Sequence, residues 1–332
     1  MCLRSEVNRC INREMGKVSL LHSSISEMIL EELDEEILVE LHGRAAYLYI
    51  EDLKEEIENK TLRSETLDIL PYHLYNAGHY DAFLSFLMKF QAIKMRIGMF
   101  KSLRRDVEWA LDLLNDTKDT ANVQLNSARA NCLNILASIE RLYGEYEQAR
   151  THFNETISKW EELRSLEPNL FEPEIAVSRH NLGSLLWEMG EFEEAEKEIR
   201  KALETRTRLA ETSQKEYGRL LHRTLLNLGV ILAAEKKQEE ARDIFEKALD
   251  SLEKNKEQIS DYELSLATIL QSYGALLEEM REYKDAVNVL HRSVAIQRRI
   301  KKNYLDLGSA GLAAALNSLG VTYSSLEQYE KA

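Results

Sequence analysis

Proline is nearly missing from this chain of 332 residues: three occur, with only 13 glycines beside them. So few helix breakers leave room for long, uninterrupted helices. Three cysteines, Cys2, Cys10 and Cys132, stand far apart, with no CxxC pair and no HxxxH spacing. That argues against a disulfide frame or a zinc site. No apolar run reaches the roughly 18 residues of a membrane span, and Arg4, Glu6, Arg9 and Arg13 occupy the place where a signal peptide would be apolar. The expectation is a soluble, cytoplasmic chain without membrane contact. Positive charge is also in deficit, with 43 Lys and Arg against 57 Asp and Glu and a net charge of −14. Nucleic acid is therefore not expected as a partner, because phosphate contacts need clustered cations. The acidic run Glu31, Glu32, Asp34, Glu35 and Glu36 reads as a solvated face or a helix start rather than a metal site. His73, His79, His152, His222 and His291 are scattered, with no carboxylate–His–nucleophile arrangement around them. No GxxxxGK[ST] occurs, and the one Gly-Lys pair, Gly16-Lys17, lacks an upstream glycine loop. No enzyme activity, cofactor or metal is expected.

What is present is a register. Ala149, Ala195, Ala241, Ala286 and Ala332 follow one another at steps of 46, 46, 45 and 46 residues. A small residue twelve positions upstream keeps the same step, as Ala137, Gly183, Gly229, Gly274 and Gly320. Internal periods of this size mean a solenoid. Within one unit, Val177, Leu182, Leu185, Leu186 and Met189 fall at helical spacing, Gly190 breaks the run, and Phe192, Ala195, Ile199, Ala202 and Leu203 resume it. Each unit is thus predicted to be a helical hairpin, with Gly183 and Ala195 where its helices cross most closely. The next turn, Lys236-Lys237-Gln238, lacks glycine. Tyr273, Tyr283, Tyr323 and Tyr329 read as packing residues between hairpins. A step of 46 back from Gly144 lands on Gly98, which makes Phe100, Val107 and Ala110 a degenerate second helix.

The signatures NLGSLLWEMGEFEEAEKEIRKAL and NLGVILAAEKKQEEARDIFEKAL resemble the tetratricopeptide repeat over about residues 122–332. The resemblance implies an all-α fold, a right-handed α-solenoid of helical hairpins in units of about 122–168, 169–214, 215–259, 260–305 and 306–332, the last truncated. The family unit is shorter, so each hairpin has residues to spare for longer helices and loops such as Glu167-Pro168 and Glu172-Pro173. In the family, first helices line a concave groove, where an Asn two residues before the small position often bonds a peptide backbone. Ile135, Asn181, Asn227, Ser272 and Ser318 hold that place here, and Asn134, His180, Leu226, Gln271 and Asn317 precede them. The groove candidates are Asn134, Arg179, His180, Asn181, Trp187, Arg223, Asn227, Gln271 and Asn317, with the two arginines and His180 offering charge to an acidic ligand. The alternative is that these side chains face water or cap neighbouring helices.

The first third differs. Residues 16–21 alternate enough for a strand, Ser23 or Ser24 is placed to cap a helix through Glu32, and helices are predicted at about 34–58, 64–77 and 80–96. Pro71 is expected in the opening turns of the second, if that helix begins near Asp68. The phrases LLHSSISEMILEEL, ELHGRAAYLYIEDL and ILPYHLYNAGHYDAF resemble the region after the nucleotide-binding core in STAND-class signal-transduction ATPases. His22, His42, Pro71, Tyr72, His73, Leu74, Ala77 and Gly78 carry that likeness. It implies a partial winged-helix segment at 1–33 and a helical linker at 34–121.

The reading is therefore an interaction scaffold that holds a partner peptide or helix, either as a fragment of a larger STAND-type switch or as a free-standing adaptor. An array that stops mid-repeat is expected to expose Leu319, Tyr323 and Tyr329 and to self-associate there.

Overall fold

The structure, a computed structural model, describes residues 11–12, 19–20, 35–116, 122–167, 170–213, 217–259, 261–303 and 309–326. The segment expected to form a helix after Ser23 lies outside these residues, as do His22, Cys2, Cys10, Glu31, Glu32, Asp34, Pro168, Tyr329 and Ala332. The chain divides into two compact units, residues 1–139 and 140–332.

In the first unit, Ile11–Asn12 (β1) and Ser19–Leu20 (β2) pair antiparallel with Ile11 opposite Leu20. Four helices follow: Glu35–Glu58 (α1), Ser64–Asn76 (α2), Tyr80–Arg96 (α3) and Phe100–Asp116 (α4). The next, Val123–Tyr143 (α5), runs across the unit boundary. Leu67, Leu70, Leu74, Phe83, Leu87, Leu103, Val107 and Ala110 form one buried cluster. The turns between these helices use left-handed backbone at Lys60, Gly78 and Gly98. The second helix begins at Ser64, so Pro71 lies in its interior rather than its opening turns. Pro71 is buried with Leu67, Leu70 and Leu74, and packing holds the helix through a position that cannot donate to the preceding turn. Lys94 and Asp106 form a buried ion pair at 2.5 Å, and Arg105 reaches the same carboxylate at 2.8 Å. Cys132 is a free, buried thiol, pushed up to about 12 by burial.

The second unit is a row of helical hairpins. After Tyr146–Leu166 (α6) come Glu172–Glu188 (α7) with Phe192–Thr212 (α8), Leu221–Ala234 (α9) with Gln238–Lys254 (α10), and Tyr262–Glu279 (α11) with Tyr283–Asn303 (α12). Ser309–Ser325 (α13) follows. The first helices α7, α9, α11 and α13 touch in sequence, and each second helix also packs on the next first helix. The spare length of the repeat goes into second helices of 21 residues, α6, α8 and α12, each about 30 Å long. The rest goes into short 3-10 turns at Gly218–Leu220 and Lys256–Gln258.

The locked small residues have a steric cause. A Cβ on Gly183 would stand 2.6 Å from Ile199 Cγ1 and 3.2 Å from the Ala195 carbonyl oxygen, so the helices do cross here. On Gly229 it would meet Phe245 at 2.8 Å, and on Gly274 it would meet Leu290 at 2.6 Å. The glycine therefore seats the large side chain sixteen positions later, and the alanine keeps the backbones close. Each hairpin turn needs one residue with positive φ. Gly144 and Gly190 supply it without strain, whereas Lys236 and Arg281 adopt it at φ 64°.

Neighbouring hairpins are also joined by charge. Arg150, after Ala149, bonds Glu191 at 2.8 Å, and Arg242, after Ala241, bonds Glu282. Between them the signs reverse: Glu196, after Ala195, accepts from Lys237 at 2.6 Å.

The expected exposure of Leu319 and Tyr323 is not found. Both are buried, in a cluster with Leu290, Val294 and Ala315, because their face of α13 turns back onto α12. The large apolar residues exposed on α13, among the described residues, are Leu316 and Val321.

Candidate functional site

The first-helix row of the second unit brings part of the expected groove together. Asn227 Nδ2 on α9 donates to Ser184 Oγ on α7 at 2.9 Å and lies 3.5 Å from His180 Nε2. Ser184 Oγ in turn donates to the His180 carbonyl at 2.9 Å. An amide that carries both donor and acceptor suits this role between two helices. On these first helices Asn181 and Gln271 are half-buried, while Arg223 and Trp187 are exposed. Asn317 is exposed on α13. Asn134 belongs to the first unit, where its carbonyl accepts from Ser138 Oγ at 2.7 Å.

Arg179 is not brought to this face. Its guanidinium donates to Glu198 on α8 at 2.5 Å and to Glu161 on α6 at 3.1 Å, which clamps α7 between two second helices. Sequence spacing places it one residue from His180, and 100° of helical rotation turns it toward a different neighbour. Arg141 and Glu188 approach to 3.9 Å near the ends of α5 and α7.

His180 is buried, and its pKa is lowered to about 3 by loss of hydration and then by the charges of Arg206, Arg223 and Arg141. It is neutral across the physiological range. Arg206 is buried too, and donates to Thr224 Oγ1. Burial, followed by the charge of Arg223, brings its pKa down to about 10. Periodicity alone gave no reason to single out Arg206. The available signal was register, because eleven residues after each locked alanine stand Trp160, Arg206, Leu252 and Gln297.

In the first unit the residues that carry the linker resemblance also meet. His42 Nδ1 and His73 Nδ1 are 2.7 Å apart, with Tyr72 edge-on to both rings. Burial and the neighbouring His42 lower the His73 pKa to about 4.

Among the described residues, no group of three or more His, Cys, Asp or Glu could hold a metal, and no helix is long and apolar enough to cross a membrane.

A family model described as tetratricopeptide repeat matches residues 174–254, which take in α7 to α10 with their glycine seats and alanine crossings. Residues 174–254 thus carry the tetratricopeptide repeat. No curated protein sequence matches the chain. Among solved structures, the chain is similar to BtubC (BKLC) from P. vanneervenii at 18% identity and TM-score 0.55, over 70% of this chain and 86% of that one. It is also similar to aspartyl phosphate phosphatase F from Bacillus subtilis at 13% identity and TM-score 0.52, over 99% of this chain and 80% of that one. At such identities the likeness is one of fold, and function must be argued from the site.

Proposed function

We propose that the protein is an interaction scaffold whose α7, α9 and α11 face docks a partner polypeptide. The observation that carries this reading is the Asn227–Ser184–His180 chain, which links adjacent first helices, while Arg223 and Trp187 on the same helices are exposed and Asn181 and Gln271 are half-buried. Amide side chains on rigid helices offer paired donors and acceptors to an extended peptide backbone, and an exposed indole offers an apolar wall. The test is selection of binding peptides from a displayed random library on the full chain, repeated with Asn181→Ala and with Ser184→Ala. The Ser184 variant breaks the interhelical bond without removing a docking amide. Peptides captured by wild type are expected to weaken on Asn181→Ala and to persist on Ser184→Ala. Equal capture by all three proteins would remove the docking assignment.

A second reading makes the array the sensor of a STAND-type switch. The observation that favours it is the meeting of His42 with Tyr72 and His73, because the two phrases that resemble that linker pack as one unit. Sequencing the DNA upstream of Met1 tests it: an in-frame nucleotide-binding core is expected, and a start signal at Met1 with no such core would exclude the switch.

A further inference from the structure

Two histidines face each other across the first pair of helices, and their spacing limits how many protons they can hold together. α1 lies along α2. Its rear half is fastened near the turn: Glu56 accepts from the Arg63 N–H at 3.0 Å, from the Thr66 hydroxyl at 2.6 Å and from the Arg63 guanidinium, which also reaches Asp52 at 2.9 Å. Tyr49, Ile50 and Leu53 add apolar contact with the buried cluster of this unit. The front half is held more thinly. Ala46 is the one buried apolar residue of α1 among the described residues, and none of them before it joins that cluster. There His42 Nδ1 lies 2.7 Å from His73 Nδ1 on α2, with Tyr49 stacked on the His73 ring at 5.9 Å and Tyr72 edge-on to both rings at 5.4 Å.

Nitrogens at that distance share one proton: one ring carries the N–H and the other offers its lone pair. A neutral pair satisfies this with two different tautomers. A first added proton goes to the far nitrogen of the donor ring, which turns the contact into a charge-assisted bond. The second has to go onto the accepting Nδ1. Two N–H groups on two positive rings then oppose each other, and the contact is lost.

The titratable and charged groups around the pair are Tyr49 on α1, Tyr72 on α2, His79 ahead of α3, and Arg105 on α4. His79 Nε2 lies 3.6 Å from where a Cβ on Gly43 would stand. Arg105 holds Asp68 at 3.2 Å and lies over Trp109, the next ring beyond Tyr72. Glu65, Asp52 and Arg63 act on Tyr49 by charge. Burial lowers the His42 pKa, and burial followed by the His42 charge lowers that of His73 to about 4. Both shifts lie below the unfolded value of about 6.5, so the contact is at full strength above that pH and weakens as acid is added. The rear fastening behaves differently. Burial opposes ionisation of Glu56, yet the Arg63 N–H, the Thr66 hydroxyl and the Arg63 guanidinium hold its carboxyl below the usual range.

We propose that the His42–His73 pair is an acid-released latch, which holds the front turns of α1 on α2 and lets them go when both rings are charged. It is independent of what the hairpin array docks.

The experiment is hydrogen–deuterium exchange with mass spectrometry on the full chain at neutral pH and at about pH 4.5, corrected for the intrinsic pH dependence of exchange. A lowered pKa shifts an opening equilibrium by about tenfold per pH unit, so protection over residues 38–48 is expected to fall by on the order of tenfold or more in acid, while residues 51–58 keep theirs. His42→Gln leaves an amide that can bond His73 and takes up no proton, and it should remove the fall. His73→Gln should do the same from the other helix, and it serves if circular dichroism shows the first variant unfolded. His79→Gln should keep the wild-type fall. Equal protection at the two pH values in wild type, the same loss over 51–58 as over 38–48, a fall that persists in the folded glutamine variant of either paired histidine, or its disappearance in His79→Gln would overturn the latch.

Discussion

Gly183→Ala sets two opposing effects against each other, and the structure says which one wins. Alanine is favoured over glycine in a helix interior by about 0.8–1.0 kcal/mol, so an open site would gain stability. Here the new Cβ would fall 2.6 Å from Ile199 Cγ1, 2.8 Å from its Cδ1 and 3.2 Å from the Ala195 carbonyl oxygen. Ile199 is fully buried, so it cannot swing out into solvent to make room. Overpacking of this kind costs about 1–3 kcal/mol, which leaves a net loss of up to about 2 kcal/mol. Ile199→Ala alone should cost about 2–5 kcal/mol through lost contacts and a cavity. It also removes the two nearest atoms that obstruct the Cβ and leaves the Ala195 carbonyl oxygen at 3.2 Å, so in that background Gly183→Ala should be neutral or stabilise by up to about 1 kcal/mol. The pair is therefore expected to show a compensating coupling of about 1–3 kcal/mol, read from urea unfolding of the four proteins followed by far-UV circular dichroism. If Gly183→Ala has the same sign and size in both backgrounds, Gly183 is not conserved along the array as a seat for the later side chain.

Two further outcomes are expected. Lys236 holds a left-handed conformation that costs a side chain about 1–2 kcal/mol, and its bridge to Glu279 is exposed and worth little. Lys236→Gly should raise stability by about 0.5–1 kcal/mol after the entropy of glycine is counted, whereas Gly190→Ala should lower it, and thermal melts with no change in either would refute the turn argument. The pKa values of His180 and His73 lie below the unfolded value of 6.5, at about 3 and about 4. The unfolded chain then binds more protons, so stability is complete above pH 6.5 and falls as acid is added, by at most about 1.4 kcal/mol per pH unit for each histidine. His180→Gln should flatten that fall, and an unchanged slope between pH 6.5 and 4 would mean that the imidazole is not buried.

The hairpins were legible because their crossings demand small residues at fixed intervals, and Gly183, Gly229 and Gly274 repeat that demand in the sequence. The place of Pro71 within α2 was not, since the rule that proline opens helices says nothing of a proline held in mid-helix among Leu67, Leu70 and Leu74. Leu319 and Tyr323 were assigned to a bare end, although helical spacing alone cannot say which side of α13 meets α12. Pattern reading named Asn227 and His180, which approach each other across α7 and α9, but spacing along one helix carried no sign that Arg179 would pair with Glu161 and Glu198 on other helices. Arg206 was the more instructive omission. Charged residues are usually assigned to the surface, and only alignment of each hairpin with the next reveals that this one occupies a core position.

The reversed rung at Glu196 and Lys237 bears on how such an array can be edited. Stacked copies differ little in shape, so a chain that lost one hairpin could close up and restore its packing. Loss of the hairpin that carries Glu191 and Glu196 would bring Arg150 against Lys237, and loss of the one that carries Lys237 and Arg242 would bring Glu196 against Glu282, a like-charged meeting in either case. Closing up by two would bring Arg150 against Glu282, a permitted match. Each exposed rung is worth about 0–1 kcal/mol, so the sign pattern acts as a parity check: a weak bias against odd deletions and misaligned swaps, written in charges that contribute little to the stability of the correctly ordered chain.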